Sequence, residues 1–190
     1  MEFDKVIEAR HSVRNFKKGK KPNYQDIISA IESARQGPLA GNLPSLKYIM
    51  ITEKDKIKEL ADASQQDFIK DAEYCIVVCS DKKFLKKSYY ERGEIYARQE
   101  AGAAITTILL KLTDLGLSSC WIGAFADDIV KRILKIPANI DVEAILPIGY
   151  ETGKSKKRPK PELDTMIFFD GYGSTNTSMG KRYITPGNKT

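Results

Sequence analysis

The longest helical pattern in the sequence limits the possible folds of this chain more than any other feature. It covers residues 91–115, and its centre, residues 101–112, is apolar on nearly all sides. A helix that packs against one surface keeps a polar face toward water, whereas a helix that is apolar all round is buried. We therefore expect a long helix over 91–115 that is covered on most of its surface.

Shorter patterns predict the other elements, although the structure of 82–90 is left open. Helices are indicated at 3–10, 24–35 (with Asn23 as N-cap), 54–63 and 126–134, and strands at 48–52, 73–80, 119–122, 142–149 and 163–169. Helices and strands do not alternate regularly, which favours an α+β fold over a doubly wound α/β fold. Because no repeat or internal linker divides the chain, we expect one domain at 1–169 and a tail at 170–190.

Composition excludes several classes of protein. With 42% hydrophobic and 29% charged residues, the chain is typical of a soluble globular protein. Its apolar runs are too short to span a bilayer, and its first residues lack the apolar core of a signal peptide. These features predict a cytoplasmic protein.

The cysteine and histidine content narrows the chemistry. The three cysteines, Cys75, Cys79 and Cys120, form no CxxC pair and no even-numbered disulfide framework. We expect them to be buried and reduced. The single histidine, His11, is too few for a histidine-based metal site, and no GxSxG motif accompanies it.

Positive charge points to an anionic partner. The formal net charge is +6, and the basic residues concentrate at 10–21, 82–87 and 154–160. Nucleic acid, an anionic membrane or a phosphate-bearing cofactor would all suit this charge. No long stretch interleaves basic and aromatic residues, so a nucleic-acid surface is weakly supported. The GxGxxG and GxxxxGK[ST] phosphate-binding motifs are also missing.

The sequence RHSVRNF at 10–16 is the first candidate binding segment. In extended backbone, alternate residues project to one side, so Arg10, Ser12 and Arg14 would point together. Such a group could bind a phosphate and a polar ring edge. The alternative is a solvated basic turn.

Three further segments carry weaker signals. In the loop GPLAGNLPS at 37–45, Asn42 offers a donor and an acceptor, but it could equally serve a left-handed turn. In GLSSCWIGAF at 116–125, Gly123 would let the backbone approach a ligand, or the segment is a turn beside a core tryptophan. The basic stretch 154–160 could bind phosphate or simply be solvated.

Taken in order, these segments resemble the nitroreductase family of FMN flavoproteins. The resemblance rests on RxSxRxF at 10–16, AGNLxS at 40–45, YERGEIYARQE at 90–100, GLSSCWIGAF at 116–125, and PIGY at 147–150 followed by the basic stretch. It extends from about residue 3 to 169. It implies an α+β nitroreductase-like fold, with a mixed central sheet flanked by helices. It also implies an intertwined homodimer with two FMN sites at the subunit interface, in which 91–115 is the central dimer helix and the segment after 163 embraces the partner.

The resemblance also implies roles for individual residues. Arg10 would contact the FMN phosphate, Ser12 the phosphate or ribityl chain, and Arg14 the pyrimidine edge at N1 and O2. The full set of candidate cofactor-binding residues is Arg10, His11, Ser12, Arg14, Asn42, Ser45, the backbone of Ile122, Gly123 and Ala124 near flavin N5, and Arg158 and Lys160 at the phosphate. The chain departs from the family at Leu43-Pro44-Ser45-Leu46, where Gln and Pro-Trp are common. This departure changes the substrate side of the site.

The implied activity is hydride transfer through flavin N5, with no catalytic side chain and no metal. NADH or NADPH would be the donor, and a nitroaromatic or a quinone the acceptor. Two alternatives stay open. One is a flavin-dependent dehalogenase or another specialised reaction on the same fold. The other is a non-catalytic module that binds flavin or nucleic acid.

Overall fold

The secondary structure is given by a computed structural model that describes residues 1–153, 155, 157 and 159–174. The helices are α1 (Phe3–Ala9), α2 (Tyr24–Arg35), α3 (Lys54–Ser64), α4 (Lys83–Tyr89), α5 (Arg92–Asp114) and α6 (Asp127–Leu134). The strands are β1 (Leu46–Ile51), β2 (Tyr74–Ser80), β3 (Ser118–Ser119) and β4 (Asp141–Gly149). No helix within the described ranges is long and apolar enough to cross a membrane.

The sheet has the strand order β1-β2-β4-β3, and neighbouring strands are antiparallel throughout. The α+β class is thus confirmed, but the expected mixed sheet is not what the described residues form. The segment 163–169, predicted as the last strand, instead contains a 3-10 turn, Leu163–Thr165. It therefore adds no strand to the sheet. Beyond this turn, the rings of Phe168 and Tyr172 pack together with their centroids 4.9 Å apart.

Each face of the sheet carries its own hydrophobic core. Along β2, Tyr74, Ile76 and Val78 belong to the core shared with α2 and α5. The intervening residues, Cys75, Val77 and Cys79, belong to the core shared with α3 and α6. Successive strand residues point to opposite faces, so a strand between two helical layers is apolar at every position. This explains why β2 is buried along its whole length.

Helix α5 confirms the long helix that the sequence predicts, but a single protomer does not cover it on most of its surface. One side, which includes Ala101, Ile105, Ile108 and Leu112, is buried in the core. Another side of the helix is partly or fully open to solvent although it carries no charge. That side contains Ile95, Gln99, Gly102, Thr106 and Leu110.

Other predicted elements agree closely with the structure. Helix α2 begins and ends where predicted, and the side chain of Asn23 caps it by accepting a hydrogen bond from the backbone N–H of Gln25. The basic segment left open in the sequence forms α4. The three cysteines are free and buried, as predicted.

The chain divides into two compact units, Met1–Ser155 and Lys156–Thr190. All the helices and strands named above lie in the first unit. The domain limit at residue 169 stays a prediction.

Helix α4 is held against α5 by a glycine contact that can be tested. A Cβ atom at Gly93 would lie 2.5 Å from the backbone carbonyl oxygen of Leu85, so α4 would have to move. We expect Gly93→Ala to lower the free energy of unfolding by about 1–3 kcal/mol, measured by urea denaturation. A Cβ at Gly171, which lies outside α5, would meet nothing within 4 Å. Gly171→Ala is therefore the control, and equal losses in both variants would contradict the α4–α5 contact.

Candidate functional site

The segment that carries the first motif lies across the ends of β3 and β4. The N–H of Val13 donates to the carbonyl oxygen of Ser119 at 3.1 Å, and the N–H of Lys17 donates to that of Tyr150 at 2.8 Å. Val13 and Phe16 are buried as anchors. Ser12 and Arg14 stay exposed, and Arg10 is partly buried.

Three predicted residues come together around Cys120. Burial raises the pKa of the Cys120 thiol, while the charge of Arg14, a hydrogen bond from Ser12 and the charge of Arg10 oppose that rise. These effects place the first motif beside the segment 116–125, as the resemblance implies. Within the described ranges, neither Arg10 nor Arg14 forms a salt bridge with a carboxylate. The cluster therefore has uncompensated positive charge, which suits an anionic ligand.

The backbone after β3 offers hydrogen-bond donors to the same region. Ile122 pairs with Ile145 through two backbone hydrogen bonds of 3.0 Å, so its N–H and carbonyl are both occupied. The next two residues, Gly123 and Ala124, are exposed. Neither of their N–H groups has an acceptor in the part of the chain that the structure describes. Of the three backbone positions predicted here, these two are free to bind a ligand.

Both ring nitrogens of His11 contact oxygen atoms of the protein itself. Its Nδ1 atom lies 2.8 Å from the carbonyl oxygen of Ala9, and its Nε2 atom lies 3.1 Å from Oε1 of Glu151. Both ring nitrogens are thus engaged inside the protein. The motif search missed Glu151, since nothing in the sequence links it to a residue 140 positions away.

Asn42 lies in a tight loop next to α4. The loop contains the 3-10 turn Ala40–Asn42, in which Gly41 and Asn42 have positive φ angles of 58° and 56°. The left-handed turn allowed by the sequence is therefore present, yet Asn42 is exposed and its amide has no partner among the described residues. A Cβ at Gly41 would lie 2.3 Å from the hydroxyl oxygen of Tyr89, so the loop sits directly on α4.

Ser45 is held in the interior instead of facing a ligand. It is 1% exposed, and its hydroxyl and N–H donate to the two carboxylate oxygens of Glu100 at 2.8 and 3.1 Å. Glu100 is itself 6% exposed and lies on α5. Burial, together with the nearby Glu100, raises the pKa of Tyr48 to about 12. Glu100 therefore anchors the end of the Asn42 loop.

The structure places the candidate residues in two groups along α5. The Arg10 group is Arg10, His11, Ser12 and Arg14, of which Arg10 and His11 line a cavity of about 160 Å³ with Leu109 and Thr113. The buried hydroxyl of Ser119 in this cavity has no hydrogen-bond partner among the described residues. Leu39 and Pro44, in the same loop as Asn42, line a second cavity of about 270 Å³ with Glu100 and Ala103, whereas Asn42 itself does not line it. The nearest α5 residues of the two cavities, Ala104 and Leu109, are five residues apart along the helix, or about 7.5 Å. Neither cavity reaches the roughly 300 Å³ at which small-molecule pockets usually begin.

The second basic pair cannot be placed in the same way. Arg158 lies outside the described residues, and Lys160 is exposed in the second compact unit. Their predicted phosphate contacts stay predictions.

Comparison with known proteins now identifies the family. The family model described as the nitroreductase family matches residues 7–68 and 60–150, which together cover well over half of the chain. The chain belongs to the nitroreductase family. Both groups of candidate residues in the first compact unit lie within the matched region.

Relatives in the nitroreductase family carry more than one named activity. An iodotyrosine deiodinase of Thermotoga neapolitana is 26% identical over 83% of this chain and 93% of its own length. An oxygen-insensitive NADPH nitroreductase of Helicobacter pylori J99 is 24% identical over 86% of this chain and 94% of its own length. The fold matches an FMN-dependent nitroreductase from Clostridium difficile R20291 with a TM-score of 0.72 at 24% identity, covering 88% of this chain and 98% of that one.

The anchor formed by Glu100 can be tested by substitution. Glu100→Ala leaves the buried N–H and hydroxyl of Ser45 without acceptors, which should lower the free energy of unfolding by about 1–3 kcal/mol. Glu100→Gln keeps one acceptor oxygen, so its free energy of unfolding should fall by less. Urea denaturation gives both values, with the exposed helical Glu59→Ala as control. A loss for Glu100→Ala no larger than that for Glu59→Ala would rule out the anchor.

Proposed function

We propose that the protein is a cytoplasmic, homodimeric, FMN-dependent oxidoreductase. It transfers hydride from NADH or NADPH to a small electron-poor acceptor such as a nitroaromatic or a quinone. The observation that carries this proposal is the pair of uncompensated guanidinium groups, Arg10 and Arg14, beside the free backbone donors of Gly123 and Ala124. The names of relatives as NADPH nitroreductase and FMN-dependent nitroreductase support the choice of donor and cofactor.

The available donors match the parts of FMN. A phosphate is best bound by cations and hydroxyl groups, which Arg10 and Ser12 supply. A flavin ring presents hydrogen-bond acceptors at N1, O2 and N5. Arg14 would bind at the first two atoms, and the N–H of Gly123 or Ala124 at N5. Asn42 would contact the ring or the ribityl chain.

The cluster holds no evident general acid or base, which suits chemistry carried out by a bound group. Bound FMN supplies a hydride acceptor and donor at N5. The protein residues orient the cofactor, and Arg14 favours negative charge at the pyrimidine edge. The buried Cys120 has a raised pKa, and the ring of His11 is engaged elsewhere. Neither is suited to act as a nucleophile or base.

A second subunit would complete the site. The uncharged open side of α5 would pack against a second copy of the same helix, since its apolar residues Ile95 and Leu110 gain free energy when they leave water. If the two helices run antiparallel, the C-terminal half of one meets the N-terminal half of the other. This arrangement would bring the Arg10 group of one subunit to the Asn42 loop of its partner. Each FMN would then lie between subunits.

The proposed activity can be tested on the purified protein. We expect yellow protein whose heat-released cofactor co-elutes with FMN and whose flavin is bleached by NADH or NADPH without oxygen. Addition of a nitroaromatic or a quinone should restore the oxidised spectrum. Colourless protein that cannot be loaded with FMN, or protein that releases FAD, would contradict the proposal. An iodinated aromatic amino acid in the same panel tests the dehalogenase alternative suggested by the deiodinase relative.

Arg10 and Arg14 should differ in their effects on the flavin. Arg10→Ala loses a charge-assisted contact with phosphate worth about 1.5–3 kcal/mol, or roughly a ten- to hundredfold loss of FMN affinity. Arg14→Ala should keep more of the FMN affinity but lower the reduction potential, because its charge stabilises the reduced, anionic flavin.

Fluorescence titration and potentiometry at saturating FMN measure these two effects. Arg132→Ala, on the exposed side of α6, is the matched control. An unchanged potential in Arg14→Ala would refute its assigned role, and unchanged FMN affinity in Arg10→Ala would refute the phosphate contact.

A further inference from the structure

Glu151 links two basic segments through a single carboxylate oxygen. It lies two residues after the end of β4, and its side chain is 20% exposed. Its Oε1 atom accepts a hydrogen bond from the backbone N–H of Ser155 at 2.9 Å, and His11 Nε2 lies 3.1 Å from the same oxygen. One partner is adjacent to Arg10, and the other lies within the basic stretch 154–160.

This link lies where the first motif is otherwise weakly attached. From Val13 onward, backbone hydrogen bonds hold the motif to Ser119 and to residues 150–152. Arg10, by contrast, is tied through its N–H only to α1, at the carbonyl oxygen of Val6. Among the described residues, the His11–Glu151 contact is the one side-chain tie between residues 10–12 and the end of β4. Losing it would free the Arg10 end of the motif while leaving the anchored end in place.

The ionisation of Glu151 strengthens its hydrogen bonds with His11 and Ser155. Burial raises the pKa of Glu151, but the hydrogen bonds from Ser155 and His11 outweigh it and hold the pKa below its ordinary value. The carboxylate is therefore ionised at neutral pH. His11 Nδ1 faces the carbonyl oxygen of Ala9, which can only accept, so the ring can donate from both nitrogens when it carries a proton on each. An ionised carboxylate with charged or N–H donors makes hydrogen bonds stronger than neutral ones.

We propose that Glu151 is a positioning residue for phosphate binding, which acts through His11 on Arg10. This inference rests on the proposed function. Glu151 itself is an anion and would repel phosphate on direct contact, so its contribution must pass through His11. It should therefore matter for flavins that carry phosphate and not for the flavin ring alone.

The test compares FMN with riboflavin, which lacks the phosphate. Deflavinated Glu151→Ala, Glu151→Gln and parent protein are titrated with each ligand, and quenching of flavin fluorescence gives the dissociation constants. We expect Glu151→Ala to weaken FMN about tenfold, as for a lost charge-assisted hydrogen bond, and to leave riboflavin affinity unchanged. Glu151→Gln keeps an acceptor oxygen, so its FMN affinity should lie between that of Glu151→Ala and that of the parent protein. Glu53→Ala, an exposed acid beside α3, is the control.

A double-mutant cycle with Arg10 gives a second readout. If Glu151 acts through Arg10, adding Glu151→Ala to Arg10→Ala should weaken FMN much less than it does in the parent. Equal weakening of FMN and riboflavin, or independent effects in the cycle, would overturn the proposal and leave FMN binding itself intact. A parent protein that binds neither flavin would instead overturn the proposed function, and this inference with it.

Discussion

Helix α5 has more apolar surface than one protomer covers, and the rest of the structure depends on how that surface is buried. Its inner side holds the core beneath the sheet with α2, and its N-terminal end holds α4 through Gly93. Glu100, on the same helix, fixes the loop that presents Asn42. A helix with so many partners sets the distances between them, because a rigid rod leaves little room for independent movement. The Asn42 loop therefore takes its position from α5, whereas the first motif is held by hydrogen bonds to Ser119, Tyr150 and Glu151.

The second constraint is electrostatic. Arg10 and Arg14 are brought together on one surface with no carboxylate partner in the described part of the chain. Like charges held close together cost free energy unless a counter-charge is present. Backbone hydrogen bonds and the contact of His11 with Glu151 hold the first motif in place against this repulsion. A phosphate-bearing ligand would remove it, which connects the stability of this surface to cofactor binding.

Local signals in the sequence predicted the elements that local physics controls. The N-cap Asn23 and the apolar strand at β2 could each be recognised within a window of a few residues. The length of α5 could be recognised from one continuous apolar pattern. The roles of Ser45 and His11 could not, because their partners lie 55 and 140 positions away and only the tertiary fold brings them together. The segment 163–169 has a strand-like composition, yet it begins with the 3-10 turn Leu163–Thr165 and contains no strand. Composition alone does not form a strand, which also needs a neighbour with which to pair. The first motif, by contrast, could be recognised from the sequence alone, because its arginines and serine stand within five residues of one another.

The arrangement of the site across two subunits can be measured with mixed dimers. Arg10→Ala and Asn42→Ala subunits, carrying different affinity tags, are unfolded together, refolded and purified through both tags, and FMN affinity is titrated. If each site combines Arg10 of one subunit with Asn42 of its partner, a mixed dimer has one intact site and one doubly altered site. We predict that one FMN per mixed dimer binds with the affinity of the unsubstituted protein. Neither the Arg10→Ala homodimer nor the Asn42→Ala homodimer should show such a site. Two uniformly weakened sites would show that Arg10 and Asn42 serve the same site from one subunit.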